Sequence, residues 1–242
     1  MAKYNNDLGA PEFGSNNYKA LEQGEYDAVV HGIVSLGLRP DEFTNEAGAV
    51  EKKDPKIYLR VIFEIPGKLR DDGTTVTTSK SIKLTRDPVK GNWGKFLTSL
   101  GERVDKDSID HYKSKEKLNG LLGKSVVVDV AEWKNGEGSS IATFRKLDPR
   151  LPQPKATRGV FFFNPLSPDL KIFRENLTFK TQQEVMSALN ANQFPRELHE
   201  AWAEAQVARE NKQQDNKAQP KTTEPHDSNN YNNAVDWNEE SI

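Results

Sequence analysis

Cysteine is absent from the 242 residues, which excludes a disulfide framework, thiolate metal sites and a cysteine nucleophile. Aromatic residues make up only 9% and hydrophobic residues 35%, against 29% charged, so the chain predicts one modest core with polar segments left over. No apolar run approaches the length of a membrane span, and the N-terminus lacks a signal-peptide pattern, so a cytoplasmic protein without membrane partners is expected. The histidines stand at 31, 111, 199 and 226, without zinc spacing, and His31 reads as a packed strand residue. Gly120-Leu121-Leu122-Gly123-Lys124-Ser125 resembles part of a phosphate loop, yet Leu118 stands where a glycine is required and the segment opens a strand rather than a helix. No catalytic residue, metal or cofactor is expected, and the chain reads as a binding protein rather than an enzyme.

What is present begins with a hairpin. Lys124 to Leu147 holds two β-rich runs flanking Asn135-Gly136-Glu137-Gly138, which is hairpin turn chemistry. A turn of two or four residues places Val126, Val128, Val130, Ile141 and Leu147 on one apolar face. The opposite face then collects Ala131, Trp133, Ala142, Phe144 and Lys146, and a three-residue turn would flip one strand. Rings beside a cation on an open strand face stack bases and hold phosphates; the competing reading packs Trp133 and Phe144 under a second layer.

The rest of the chain supplies the partners of this hairpin. Residues 1–24 are polar and read as a flexible lead-in. Glu25 to Leu36 is a β-branched strand in which Gly32 marks a bend or bulge. Gly37 to Pro55 is polar and reads as a long loop. Lys56 to Ile65 alternates, with Ile57, Leu59, Val61, Phe63 and Ile65 inward and Tyr58, Arg60, Ile62 and Glu64 facing solvent. Thr74 to Leu84 is a third strand and opens a basic run of Lys80, Lys83, Arg86, Lys90 and Lys95, the pattern of a solvated edge or of a phosphate track. Trp93, Phe96, Leu97 and Leu100 follow helical spacing and give one apolar helix face; Lys113 to Leu122 allows a further helical turn.

Beyond the hairpin, residues 149–209 are irregular at first, and Phe161-Phe162-Phe163 reads as pinning this segment onto the barrel, with insertion into a nucleic acid as the alternative. A capping box at Thr181-Gln182-Gln183-Glu184 starts one helix. Pro195 opens another, through about Arg209, with Leu198, Trp202 and Ala205 on one side. From Glu210 onward the chain has seven acids, three bases and little to bury, which predicts a disordered acidic tail over 210–242. The net charge of −2 therefore divides into a mildly basic body and an acidic arm, an arrangement suited to a polyanion binder.

Three strands, a helix and two further strands over 25–148 is the order of the OB-fold, so the expected fold is mainly β: a five-stranded OB-fold-like barrel with C-terminal helices packed on it. Such a fold binds oligonucleotides across strands two and three and the adjoining loops. The residues expected to contact single-stranded DNA are Tyr58, Arg60, Lys80, Lys83, Arg86, Lys90, Trp133, Lys134, Phe144 and Lys146. Gly24-Glu25-Tyr26-Asp27-Ala28, the strand Ile57 to Glu64 and the terminus Asp236-Trp237-Asn238-Glu239-Glu240-Ser241-Ile242 resemble the bacteriophage single-stranded DNA-binding proteins. The resemblance implies sequence-nonspecific protection of single-stranded DNA in replication, recombination or repair, within the host cytoplasm. It also implies a tail, here Asp236, Trp237, Glu239, Glu240 and Ile242, that recruits helicase, polymerase or primase and competes with DNA for the basic groove. This tail departs from the family pattern in being less acidic and in ending in Ile rather than Phe. The rival from another class is a structural or adaptor protein of an assembly or virion, using the aromatic strand face as a protein interface. A homo-oligomer is compatible with either.

Overall fold

β-branched runs form the strands, and the apolar alternation within them decides which face each strand buries. The structure, a computed structural model, describes residues 21–44, 49–85, 91–105, 114–132 and 139–218, together with Asp87, Val89 and Asp110. It is mainly β. Strands β1 (Gly24–Thr44), β2 (Val50–Leu69) and β3 (Thr75–Lys83) are followed by helices α1 (Asn92–Ser99) and α2 (Lys115–Asn119). Then come β4 (Ser125–Glu132), β5 (Ser139–Arg145) and the short β6 (Phe161–Phe163). Helices α3 (Leu170–Glu175), α4 (Phe179–Met186) and α5 (Arg196–Ala218) complete the order. No described helix is long and apolar enough to cross a membrane.

The sheet runs β3-β2-β1-β4-β5 with antiparallel neighbours, and β6 adds to β1 in parallel. β1 is shared along its length: residues 24–29 pair with β4, and Gly32 to Val34 pair with β6. The expected barrel is not closed. β3 and β5 are edge strands that approach each other without a backbone ladder between them among the described residues. The sheet is bent rather than sealed, and a side chain described below spans the gap.

Two cores result. Val30, Ile33, Leu59, Val61, Phe63, Val126, Val128, Val130 and Ile141 pack against Trp93, Phe96 and Leu97 of α1. This is the interior expected for the hairpin and for α1. The second core lies on the opposite face of β1 and β2, where Val34, Leu36 and Ile62 meet Phe161, Phe163, Phe173, Val185 and Leu198. Burying each such side chain contributes about 1.5–3 kcal/mol, so the C-terminal segment is held on strongly. The triple phenylalanine does pin that segment to the sheet, as a strand.

Three departures from the sequence reading have local causes. The segment 37–55 is not a loop: β1 continues to Thr44 and β2 begins at Val50, forming a ribbon. Its rungs pair Asp41 with Lys53 and Glu42 with Lys52, the latter at 3.8 Å, so opposite charges rather than apolar alternation hold it together. Register shifts between Ser35 and Leu38 hide the period, and Gly37 takes the left-handed φ of +71° there. α4 starts one turn before the expected cap. Thr178, not Thr181, is its N-cap, accepting from the Thr181 amide at 3.2 Å. Finally, residues 210–218 are helical, since α5 runs on to Ala218, so the predicted disorder does not begin at Glu210.

Polar groups trapped under the second core are stitched together. Glu64 is fully buried and accepts from the amide of Thr157 at 3.1 Å and from its hydroxyl. His31, 2% exposed, lies with Nδ1 3.6 Å from Glu64 and packs edge-on against Phe161. Burial pushes the His31 imidazole below its ordinary pKa; Glu64 pulls the other way, and Arg158 adds to the depression.

Two outcomes follow from this packing. A Cβ on Gly32 would stand 2.5 Å from the Phe161 ring, so Gly32→Ala should lose about 1–3 kcal/mol in denaturant unfolding, and less in a Phe161→Leu background. Because the unfolded chain takes up the His31 proton first, stability should be fullest above the ordinary histidine value of 6.5 and fall as pH drops below it. His31→Gln should flatten that slope in unfolding measured across about pH 5–7; an unchanged slope would assign the acid sensitivity to other groups.

Candidate functional site

Strand pairing determines which of the expected contact residues share a face. Opposite residues of an antiparallel pair point the same way, and Tyr58 pairs with Lys83 while Arg60 pairs with Ser81. These four lie on the outer side of β2 and β3, the side expected for Tyr58 and Arg60, but that side is largely covered. Tyr58 is half-buried against the second core. Arg60 is 12% exposed, pairs with Glu184 of α4 at 2.7 Å, and donates to Thr181 Oγ1 at 3.0 Å. Lys83 pairs with Asp41 of the ribbon at 2.7 Å. Arg39, which no sequence pattern marks, donates to the Glu184 carbonyl from the same side. The open aromatic-and-cation face expected on β2 is therefore an interface between the sheet and α4.

Lys80 pairs with Val61, so it points inward, away from Lys83. Its Nζ donates to the carbonyls of Ile141 and Ala142 on β5, the second at 3.1 Å, and lies 5.6 Å from the Phe144 ring centroid. The side chain thus bridges the open β3–β5 edge. Burial pushes its ammonium below the ordinary lysine pKa. Phe144 is also on the inner side. A bulge shifts the β4–β5 register between Asp129 and Val130, so Val130 faces Ile141 while Val128 faces Phe144. The shift turns Phe144 into the core, 8% exposed, with the rings of Phe63 and Phe96 at 5.5 Å and 5.3 Å. Arg86, Lys90, Trp133 and Lys134 lie outside the described residues, as do Asp236, Trp237, Glu239, Glu240 and Ile242 of the tail.

The side chains that remain open converge elsewhere. Between α1 and the end of β5 lies a cleft of about 490 Å³. Lys95, Thr98 and Ser99 line it from α1, and Thr143, Phe144, Arg145 and Lys146 from β5 and just beyond, with Val89 at the rim. Among the described residues, the lining holds three cations and no carboxylate. Lys95 and Lys146 are exposed and have no ionic partner among the described residues. Arg145 is tied to Glu25 and, at 3.1 Å, to Asp129, and these carboxylates push its pKa further up, holding it protonated. Lys95 and Lys146 therefore remain to attract an anion, with the exposed hydroxyl of Thr98 in the same lining. Lys146 belongs to the expected set. Lys95 stands in the basic run, but only the helical turn that buries Trp93 and Phe96 shows that it is turned outward.

Lys80→Met keeps the aliphatic stem and removes both bonds to the β5 carbonyls. It should lower stability by about 1–3 kcal/mol and speed amide exchange along β5, with Lys80→Arg milder. Unaltered exchange at Ile141 to Thr143 would show that the edge is held by other means. No protein-family model matches the chain, and no curated protein matches it either.

Proposed function

We propose that this protein binds single-stranded DNA without sequence preference and carries out no chemistry on it, with the α1–β5 cleft receiving the phosphates. The observation that carries the reading is the pair Lys95 and Lys146 in the cleft lining, both exposed and without an ionic partner among the described residues. A strand's phosphates are a row of fixed negative charges, and neutralising them releases counterions, so such a lining gives affinity for any sequence. The strand order β3-β2-β1-β4-β5, with helices between β3 and β4, supports an OB-fold-like ancestry for the sheet, left open at β3–β5. The acidic tail is proposed as the arm that recruits helicase, polymerase or primase during replication, recombination or repair. The rival reading, an assembly adaptor using the aromatic strand face, draws no support from Tyr58, which lies against the second core, or from Phe144, which is buried.

The test is fluorescence anisotropy of a labelled dT oligonucleotide at two or more salt concentrations, with a duplex control. Binding should favour the single strand and weaken with salt. In Lys95→Ala/Lys146→Ala the log–log salt slope should shrink by about 0.7 for each phosphate no longer neutralised, roughly 1.4 in all. No binding at low salt, with the tail removed as well, would return the case to the adaptor.

A further inference from the structure

The cleft offers two kinds of groups. Lys95 and Lys146 are exposed cations and Thr98 carries an exposed hydroxyl, and both kinds match phosphate and sugar oxygens; Arg145 is already paired with Glu25 and Asp129. Among the described residues the one ring in the lining is Phe144, and it is already engaged. Phe63 and Phe96 pack against it at 5.5 Å and 5.3 Å, and Lys80 Nζ stands 5.6 Å from its centroid. A base needs an open π-face of about its own size, and Phe144 at 8% exposure does not offer one. Trp93, on the helix that forms the other wall, is fully buried. The ammonium of Lys80 behind the ring adds positive potential to the floor without reaching the cleft.

We infer that the cleft reads the sugar–phosphate backbone alone, so that a strand lying in it turns its bases outward and leaves their pairing edges open. The ligand class is a phosphodiester polyanion, whatever bases it carries. The inference rests on the single-stranded DNA reading above and specifies how that ligand is held. It differs from the stacking expected from the sequence, in which Tyr58, Trp133 and Phe144 would carry affinity.

Three probes of equal length separate the possibilities, used with the full chain at low salt: dT, an abasic tetrahydrofuran phosphodiester, and a dT methylphosphonate with an uncharged backbone. The abasic strand should bind within about threefold of dT, and the methylphosphonate should not bind, because stacking would add about 5- to 150-fold per base. Lys95→Ala/Lys146→Ala should weaken dT and the abasic strand equally, by about tenfold or more. Both side chains are exposed, and an unchanged melting midpoint confirms that the variant is folded. A dT affinity more than about tenfold above the abasic one would overturn the inference, as would a folded double variant that binds both strands normally. Failure of dT itself to bind would instead remove the single-stranded DNA reading.

Discussion

Strand β1 is apolar on both faces, and the rest of the structure answers to that. Val29, Val30, Ile33 and Val34 are all fully buried, which an antiparallel sheet with one wet face cannot provide. One side is covered by the bend of the sheet and by α1, the other by β6 and the C-terminal helices. The segment after residue 148 thus packs into the same body as the sheet, not as an appendage to it. Covering that second face also buries polar groups, and two of them are given partners: Glu64 its two bonds from Thr157, Arg60 its carboxylate and hydroxyl on α4. Leaving either unpaired in a dry site would be costly, which explains why these bonds sit where the cover meets the sheet.

The same constraint moves the open cationic surface. With the outer side of β2 closed, Lys95 and Lys146, where α1 meets β5, are residues of the basic run and hairpin that stay in water. Lys80 links the two regions. It leaves β3 on the inner side, crosses to the β5 carbonyls and lies behind the ring that floors the cleft. The edge it spans is where a barrel would have its last ladder, so one side chain stands in for a row of backbone bonds.

Much of the interior is legible in the sequence because it obeys a single period. Leu59, Val61, Phe63 and Ile65 alternate, Trp93, Phe96 and Leu97 follow helical spacing, and all are buried. The misplacements fall where the period breaks or where it has two meanings. The bulge between β4 and β5 moves Phe144 from one face to the other, an insertion that alternation alone cannot register. Ile57, expected inward, is 42% exposed because β2 has not yet left the ribbon for the sheet at that point. Tyr58 and Arg60 do lie on the outer face, but alternation does not say what lies over a face. A hint is present in Ile62 on that same side, an apolar residue with no reason to face water. The cleft combines an outward helix position with a strand end, and only the packing of α1 on β5 brings the two together.

The double burial of β1 also has a bearing on the order in which the chain leaves the ribosome. Leu38 is hydrogen-bonded to Asn190, 152 residues later. At translation rates of about 5–20 residues per second, that separation is roughly 8–30 s of synthesis. For most of that interval Val34, Leu36 and Ile62 have emerged while Phe173, Val185 and Leu198 have not. The nascent sheet presents a greasy surface to the cell for as long as the C-terminal half takes to be made. Premature termination shortly after β5 would leave a product with that surface permanently uncovered, prone to clumping and a natural client for chaperones.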